Sequence, residues 1–138
     1  MLLLEGVEIV LRIESSGKLE EIEGFVESVE AESNTVGTTQ YHVLIRPTNV
    51  EVKGKTGRFH EWVPMSKTAT EETVPHGSVM ERYITHMEIA VPAIKKAPTI
   101  KSAFALLVGK KFRFQRMKLG RDYDGNPARE YLVPVAQL

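Results

Sequence analysis

The stretch Leu19–Ala31, LEEIEGFVESVEA, alternates apolar and acidic residues around a single internal glycine. Ile22, Gly24 and Val26 share one face of an extended chain, because successive side chains of a β-strand point to opposite sides of the sheet. A glycine inside a strand often marks a bend or a bulge, which lets a strand turn the corner of a barrel. The stretch therefore predicts a long, bent strand with one buried face.

The same alternation recurs through residues 1–66. Val7–Ile13, Gln40–Arg46 and Arg58–Val63 place apolar side chains at every second position. Pro47 ends the second of these runs, since proline cannot donate a hydrogen bond to a strand ladder. These patterns predict strands throughout this part of the chain, the first of them added in front of the bent strand.

The pattern becomes helical over residues 76–108. Ser78-Val-Met-Glu81 has the form of a capping box, and apolar residues follow at spacings of three and four as far as Val91. Thr99 is placed to cap a second, shorter helix, and Gly109 stands where a left-handed residue ends such a helix. This part of the chain is therefore predicted to be a helical insertion.

Residues 109–138 predict a closing β-hairpin, with strands over Lys110–Met117 and Arg129–Val135 joined through an Asp-Gly turn. The order of elements predicts a single, mainly β domain covering residues 1–138. Its expected architecture is a small, OB-like, partly open β-barrel with one or two helices between the fourth and fifth strands. A generic α+β sheet with two helices on one face is the alternative.

Composition and charge limit the classes of protein to which the chain can belong. The 138 residues include no cysteine, which excludes disulfides and thiolate metal sites, and no apolar run is long enough to span a membrane. A cytoplasmic protein is predicted. The net charge is zero, yet residues 1–40 carry nine acidic and two basic side chains, and residues 41–138 carry nine acidic and sixteen basic ones. Either a local positive field results, or acidic and basic strands pair across the sheet.

Catalytic motifs are missing from the sequence. The four histidines, at positions 42, 60, 76 and 86, lack the spacing of a helical metal site. Gly54-Lys-Thr-Gly57 resembles part of a phosphate loop, but Asn49 stands where its first glycine belongs. The sequence therefore predicts a non-enzymatic protein without metal or cofactor. A hydrolase or metal-dependent enzyme would require two histidines to converge with a carboxylate in a pocket.

The outward faces of the predicted strands combine cations with flat rings. Arg58, His60 and Trp62 share one face of their strand, while Phe112 and Phe114 are expected to point into the core. A groove for single-stranded nucleic acid needs this combination, because cations follow the phosphates and rings stack on bases. Binding is predicted to be largely independent of sequence and to weaken steeply as salt rises. The candidate residues are Arg46, Arg58, His60, Trp62, Lys110, Lys111, Arg113, Lys118 and Arg121.

Three segments carry a resemblance to a known family: Glu23–Val26 in the bent strand, Gly57–Pro64 in the central strand, and Leu107–Phe114, which has the form L-x-G-K-x-F. Together they resemble the small OB-fold single-stranded-DNA-binding proteins of phages and archaeal mobile elements. The resemblance covers about half of the chain, which departs from the family in its long helical insertion. It implies a non-catalytic protein that binds single-stranded DNA.

Two further interpretations stay open. The basic run Gly109–Arg121 also fits an ordinary solvated strand face. The chain also fits a self-assembling or adaptor module of phage or mobile-element origin, forming a homo-oligomer. In that case exposed Leu44, Met65 and Met117 would form the contact, and the acidic residues 1–40 would face the basic remainder of a neighbour.

Overall fold

The computed structural model describes residues 20–33, 37–50, 57–66, 69–120, 125 and 127–138. The predicted strand Val7–Ile13, Arg121 and most of the two predicted loops around positions 53 and 124 lie outside them. The described residues form five strands, two α-helices and one 3₁₀-helix. In chain order these are β1 (Glu21–Ser33), β2 (Thr39–Pro47), β3 (Phe59–Pro64), α1 (Val79–Ala90), the 3₁₀-helix (Pro92–Lys96), α2 (Ile100–Ala105), β4 (Lys111–Lys118) and β5 (Glu130–Gln137).

The five strands form one antiparallel sheet in the order β3-β2-β1-β4-β5. The mainly β class is confirmed. The helices lie between β3 and β4, which are the fourth and fifth strands of the prediction because Val7–Ile13 was counted as the first. Among the described strands, backbone pairing does not close the sheet into the expected barrel, because β3 and β5 are its two edges.

β1 pairs with a strand on each side, and it carries an irregularity in register a few residues after its glycine. It pairs with β4 over Glu21–Phe25 and with β2 over Gly24–Ser33, and its register shifts between Val26 and Ser28. A Cβ atom on Gly24 would lie 2.7 Å from the carbonyl oxygen of Arg46. Glycine is therefore needed where β2 approaches β1 closely, just before the bulge.

The core lies between the inner face of the sheet and the helices. Phe112 and Phe114 are fully buried there, as predicted, and the Tyr83 hydroxyl on α1 donates a hydrogen bond to the Leu132 carbonyl on β5 at 2.8 Å. Ser78 and Thr99 cap the two α-helices as predicted. None of the helices in the described ranges has the length and apolar character needed to cross a membrane.

The two edge strands are joined by the side chain of Glu61, a residue of β3 that is 4% exposed. Its Oε1 accepts a hydrogen bond from the Leu132 amide of β5 at 2.6 Å. Its Oε2 accepts from the Arg129 guanidinium at 2.6 Å and from the Trp62 amide at 3.1 Å. Burial raises the pKa of Glu61, and these donors act in the opposite direction. One carboxylate thus links β3 to β5 without a backbone ladder.

Replacing this carboxylate is expected to destabilise the protein strongly. Glu61→Ala leaves the buried Leu132 amide without its acceptor, so the free energy of unfolding should fall by about 2–4 kcal/mol. Urea denaturation followed by circular dichroism measures the change. Glu130→Ala, at an exposed position of β5, is the control and should change stability by less than about 0.5 kcal/mol. Equal losses in the two variants would contradict the role assigned to Glu61.

Candidate nucleic-acid interface

Three rings lie on the outward face of β2 and β3. In β3, Glu61 and Val63 are buried, so His60 and Trp62 point away from the core, with His60 exposed and Trp62 half-buried. His42 of β2 pairs with Trp62 in the antiparallel register. The alternation of the sequence predicted this outward placement correctly.

The rings of His42, His60 and Trp62 stand nearly parallel to one another and are called the ring cluster below. The His42 centroid lies 4.8 Å from that of Trp62 and 5.0 Å from that of His60, and the third pair is 5.6 Å apart. The angles between their planes are 10°, 11° and 14°. The two pairs that include Trp62 have centroid distances within the range of offset-stacked aromatic pairs. The His42 and His60 rings lie side by side, because their ring nitrogens are hydrogen-bonded to each other. The three rings create an aromatic surface on a sheet face that also carries Leu44 and Phe25.

Hydrogen bonds hold the ring cluster in place. His42 Nε2 and His60 Nδ1 are 2.8 Å apart, so one ring nitrogen donates and the other accepts. The Trp62 indole donates to Glu32 Oε1 at 2.9 Å, and the second oxygen of Glu32 lies 3.8 Å from His42 Nδ1. The Glu32 carboxylate of β1 therefore holds both the Trp62 and the His42 ring in position.

The pairing of His42 with His60 was missed by the sequence analysis, because it depends on the register of two strands. Two histidines and the carboxylate of Glu32 do meet, as the enzymatic alternative requires, but on an exposed face. Neither histidine lines the pocket among the helices or the pocket between β4 and β5. In the part of the chain that the structure describes, no group of three or more histidine, aspartate or glutamate side chains is placed to hold a metal ion.

Arg46 and Arg58 lie beside the ring cluster and share one carboxylate. Arg58 Nε is 2.5 Å from Glu27 Oε1, and Arg46 Nε is 3.3 Å from Glu27 Oε2. The hydrogen bond from Arg58 holds the pKa of Glu27 below its usual value, with further help from Arg46. Here an acidic residue of β1 pairs with basic residues from the rest of the chain, as the second interpretation of the charge distribution expected. Two guanidinium charges face one carboxylate charge.

Other predicted cations extend the same face across the sheet. Phe25 of β1 pairs with Arg46 of β2 on one side and with Lys111 of β4 on the other, so the three form a row. Arg113 follows on β4, with its Nε 3.8 Å from Glu21. Six of the nine predicted residues thus occupy the outward side of β2, β3 and β4: Arg46, Arg58, His60, Trp62, Lys111 and Arg113.

The remaining predicted cations lie elsewhere. The Lys110 ammonium donates to the Leu106 carbonyl at 2.6 Å, at the end of the turn that follows α2. Lys118 lines an open pocket between β4 and β5, together with Arg116 and Arg129. Arg129, which sequence analysis did not select, also donates to the Trp62 carbonyl at 3.2 Å. Arg121 is outside the described residues.

Of the three residues selected for self-assembly, one is buried and two are half-buried. Met65 is only 8% exposed and packs in the core. Its amide donates a hydrogen bond to the Thr39 carbonyl at the start of β2. Leu44 and Met117 are half-buried. The exposed large apolar side chains among the described residues are instead Ile89, Val108 and Leu138.

The contact between Glu27 and Arg58 makes stability depend on pH. Because the pKa of Glu27 is lowered on folding, its contribution is present above its ordinary value of 4.5 and is lost as pH falls below it. Glu27→Gln should therefore lower the melting temperature at neutral pH, and the difference from wild type should vanish in acid. Thermal melts across pH measure this difference.

Arg58→Gln is the matched partner variant for that experiment. Residues in contact show non-additive effects, so the double variant should lose less stability at neutral pH than the sum of the two single losses. Strict additivity, or a loss that persists unchanged in acid, would contradict the contact.

No protein-family model matches the chain, and a search of curated proteins found no match. Evidence on function therefore comes from the outward face itself, from its three rings, its cations and the carboxylates beside them.

Proposed function

We propose that the chain is an OB-like domain that binds single-stranded nucleic acid, without catalysis, on the outward face of β2 and β3. The observation that carries the proposal is the ring cluster of His42, His60 and Trp62, held nearly parallel on the outward sheet face, with His60 exposed and the other two rings half-buried. Every nucleobase is itself a flat ring, so bases of any identity can extend such a stack.

The strand connectivity supports an OB-like architecture. An OB-fold has five strands, a bent first strand and a helix between its third and fourth strands, and it binds oligonucleotides on the face of strands 2 and 3. Here β1 shifts register between Val26 and Ser28 and pairs with both β2 and β4, and the helices lie between β3 and β4. Glu61 links β3 to β5, the two strands that a closed barrel would bring together.

Stacking is expected to contribute more than phosphate contacts. Arg46 and Arg58 already face Glu27, and Glu32 adds a negative charge beside the rings. Base–aromatic stacking contributes about 1–3 kcal/mol per base and needs no cation. Each phosphate that a cation neutralises on a single strand steepens the slope of log affinity against log salt by about 0.7, and a cation already paired with a carboxylate is less available for this. We therefore expect a shallow dependence of affinity on salt in place of the steep one that the sequence alone suggested.

The first test removes the largest ring. Trp62→Ala should weaken binding of a fluorescently labelled oligothymidylate by about 1–3 kcal/mol, since one stacking surface is lost. Trp62→Phe keeps a ring and should retain most of the affinity. Fluorescence anisotropy at low salt measures both, and circular dichroism checks that the variants are folded. No binding by the wild type, or equal binding by Trp62→Ala, would refute the proposal.

The second test removes the carboxylate that pairs with Arg46 and Arg58. Glu27→Gln removes the carboxylate that Arg46 and Arg58 share, so affinity should rise, and the slope of log affinity against log salt should steepen by about 0.7–1.4. Glu130→Gln, an exposed acid on β5, is the control and should leave the slope nearly unchanged. The same slope in wild type and Glu27→Gln would place the nucleic acid away from these arginines.

A further inference from the structure

A pocket in the helical insertion lies apart from the ring cluster. It is formed by the segment around Glu72 and Val74, by α1, by the 3₁₀-helix and by the start of α2. Its volume is about 140 Å³, and it opens to solvent. A cavity of about 150 Å³ holds one benzene molecule, and pockets for drug-sized ligands measure roughly 300–1,000 Å³. The pocket therefore has room for one large side chain and not for a whole cofactor.

Seven of the twelve side chains that line this pocket are apolar. Ile94 and Ile100 contribute buried side chains, and Val74 and Ile84 pack against the same core while remaining half-buried. Ile89, one residue beyond the rim on α1, is 68% exposed. Apolar surface open to water favours an occupant that removes it from water.

The rim of the pocket is acidic. Glu72 and Glu88 both line it, and neither joins an ion pair within the described ranges of the chain. A third carboxylate, that of Glu71, is already used inside the fold: it accepts from the Tyr41 hydroxyl at 2.6 Å and from the Lys101 amide at 2.9 Å. Lys95 is the basic residue among the lining side chains. The rim therefore favours a cationic neighbour.

We propose that this pocket is a docking site for a partner polypeptide, and that it takes one large apolar side chain flanked by lysine or arginine. The apolar wall would bury the central side chain, and Glu72 and Glu88 would face the flanking cations. Complementary charge of this kind selects partners and fixes their register more than it adds affinity. The site gives the helical insertion a role separate from that of the sheet.

The probe for this site is the amidated peptide acetyl-Lys-Phe-Lys, titrated into the ¹⁵N-labelled full chain and followed by NMR. We expect saturable shift changes at the pocket residues, in the ranges 72–74, 84–88 and 94–103. Acetyl-Glu-Phe-Glu should bind far more weakly because its charges are reversed, and acetyl-Lys-Ala-Lys because it lacks the ring. Equal binding of either control peptide, or shifts confined to other residues, would overturn the proposal.

Two kinds of variant test the pocket itself. Ala97 lines the pocket and is half-buried, so Ala97→Leu should fill the space and abolish the shifts. The double variant Glu72→Lys with Glu88→Lys should weaken binding of the basic peptide roughly tenfold. It tests the docking proposal even if Ala97→Leu does not fold. Unchanged binding in this double variant would overturn the proposal.

Binding to the pocket is separable from binding to the ring cluster. Trp62→Ala should leave the peptide titration unchanged, because Trp62 does not line the pocket. If an oligonucleotide perturbs the pocket residues and the basic peptide does not, the pocket belongs to a nucleic-acid surface and the docking proposal is wrong.

Discussion

The buried carboxylate of Glu61 holds the two edges of the sheet in a fixed relation. A lone ionised carboxylate is costly to bury, so its position is stable only because Leu132, Trp62 and Arg129 all donate to it. That arrangement joins β3 to β5, strands that no ladder connects. It also sets the orientation of β3: with Glu61 facing inward, its neighbours His60 and Trp62 must face outward. The link between the two edge strands and the presentation of the rings therefore have the same origin.

The outward face is balanced in charge more than it is positive. Arg46 and Arg58 share Glu27, Arg113 lies near Glu21, and Glu32 binds the Trp62 indole. A cation that already faces a carboxylate attracts a phosphate less strongly, because the two charges largely cancel at a distance. The features that remain distinctive on this face are the parallel rings. Stacking therefore ranks above phosphate attraction in the proposed function.

The helical insertion has a surface of different chemistry. Its open pocket is lined by apolar and acidic side chains, whereas the sheet face is aromatic with paired charges. The 3₁₀-helix that follows α1 and the Glu71 contacts at the start of α2 shape this pocket. Two surfaces of unlike chemistry suit a protein that contacts two classes of partner, and each can be disrupted without touching the other.

Local patterns in the sequence were enough to predict the five described strands, the two capped helices and the direction of most described side chains. Ser78 and Thr99 cap their helices, and Phe112 and Phe114 face the core, because caps and strand alternation depend on neighbouring residues only. The tertiary structure alone determined which groups meet. The contact of His42 with His60, the shared carboxylate of Glu27 and the burial of Glu61 and Met65 join residues far apart in the chain. Strand register and the packing of edges bring these residues together, and neither leaves a periodic signal in the sequence.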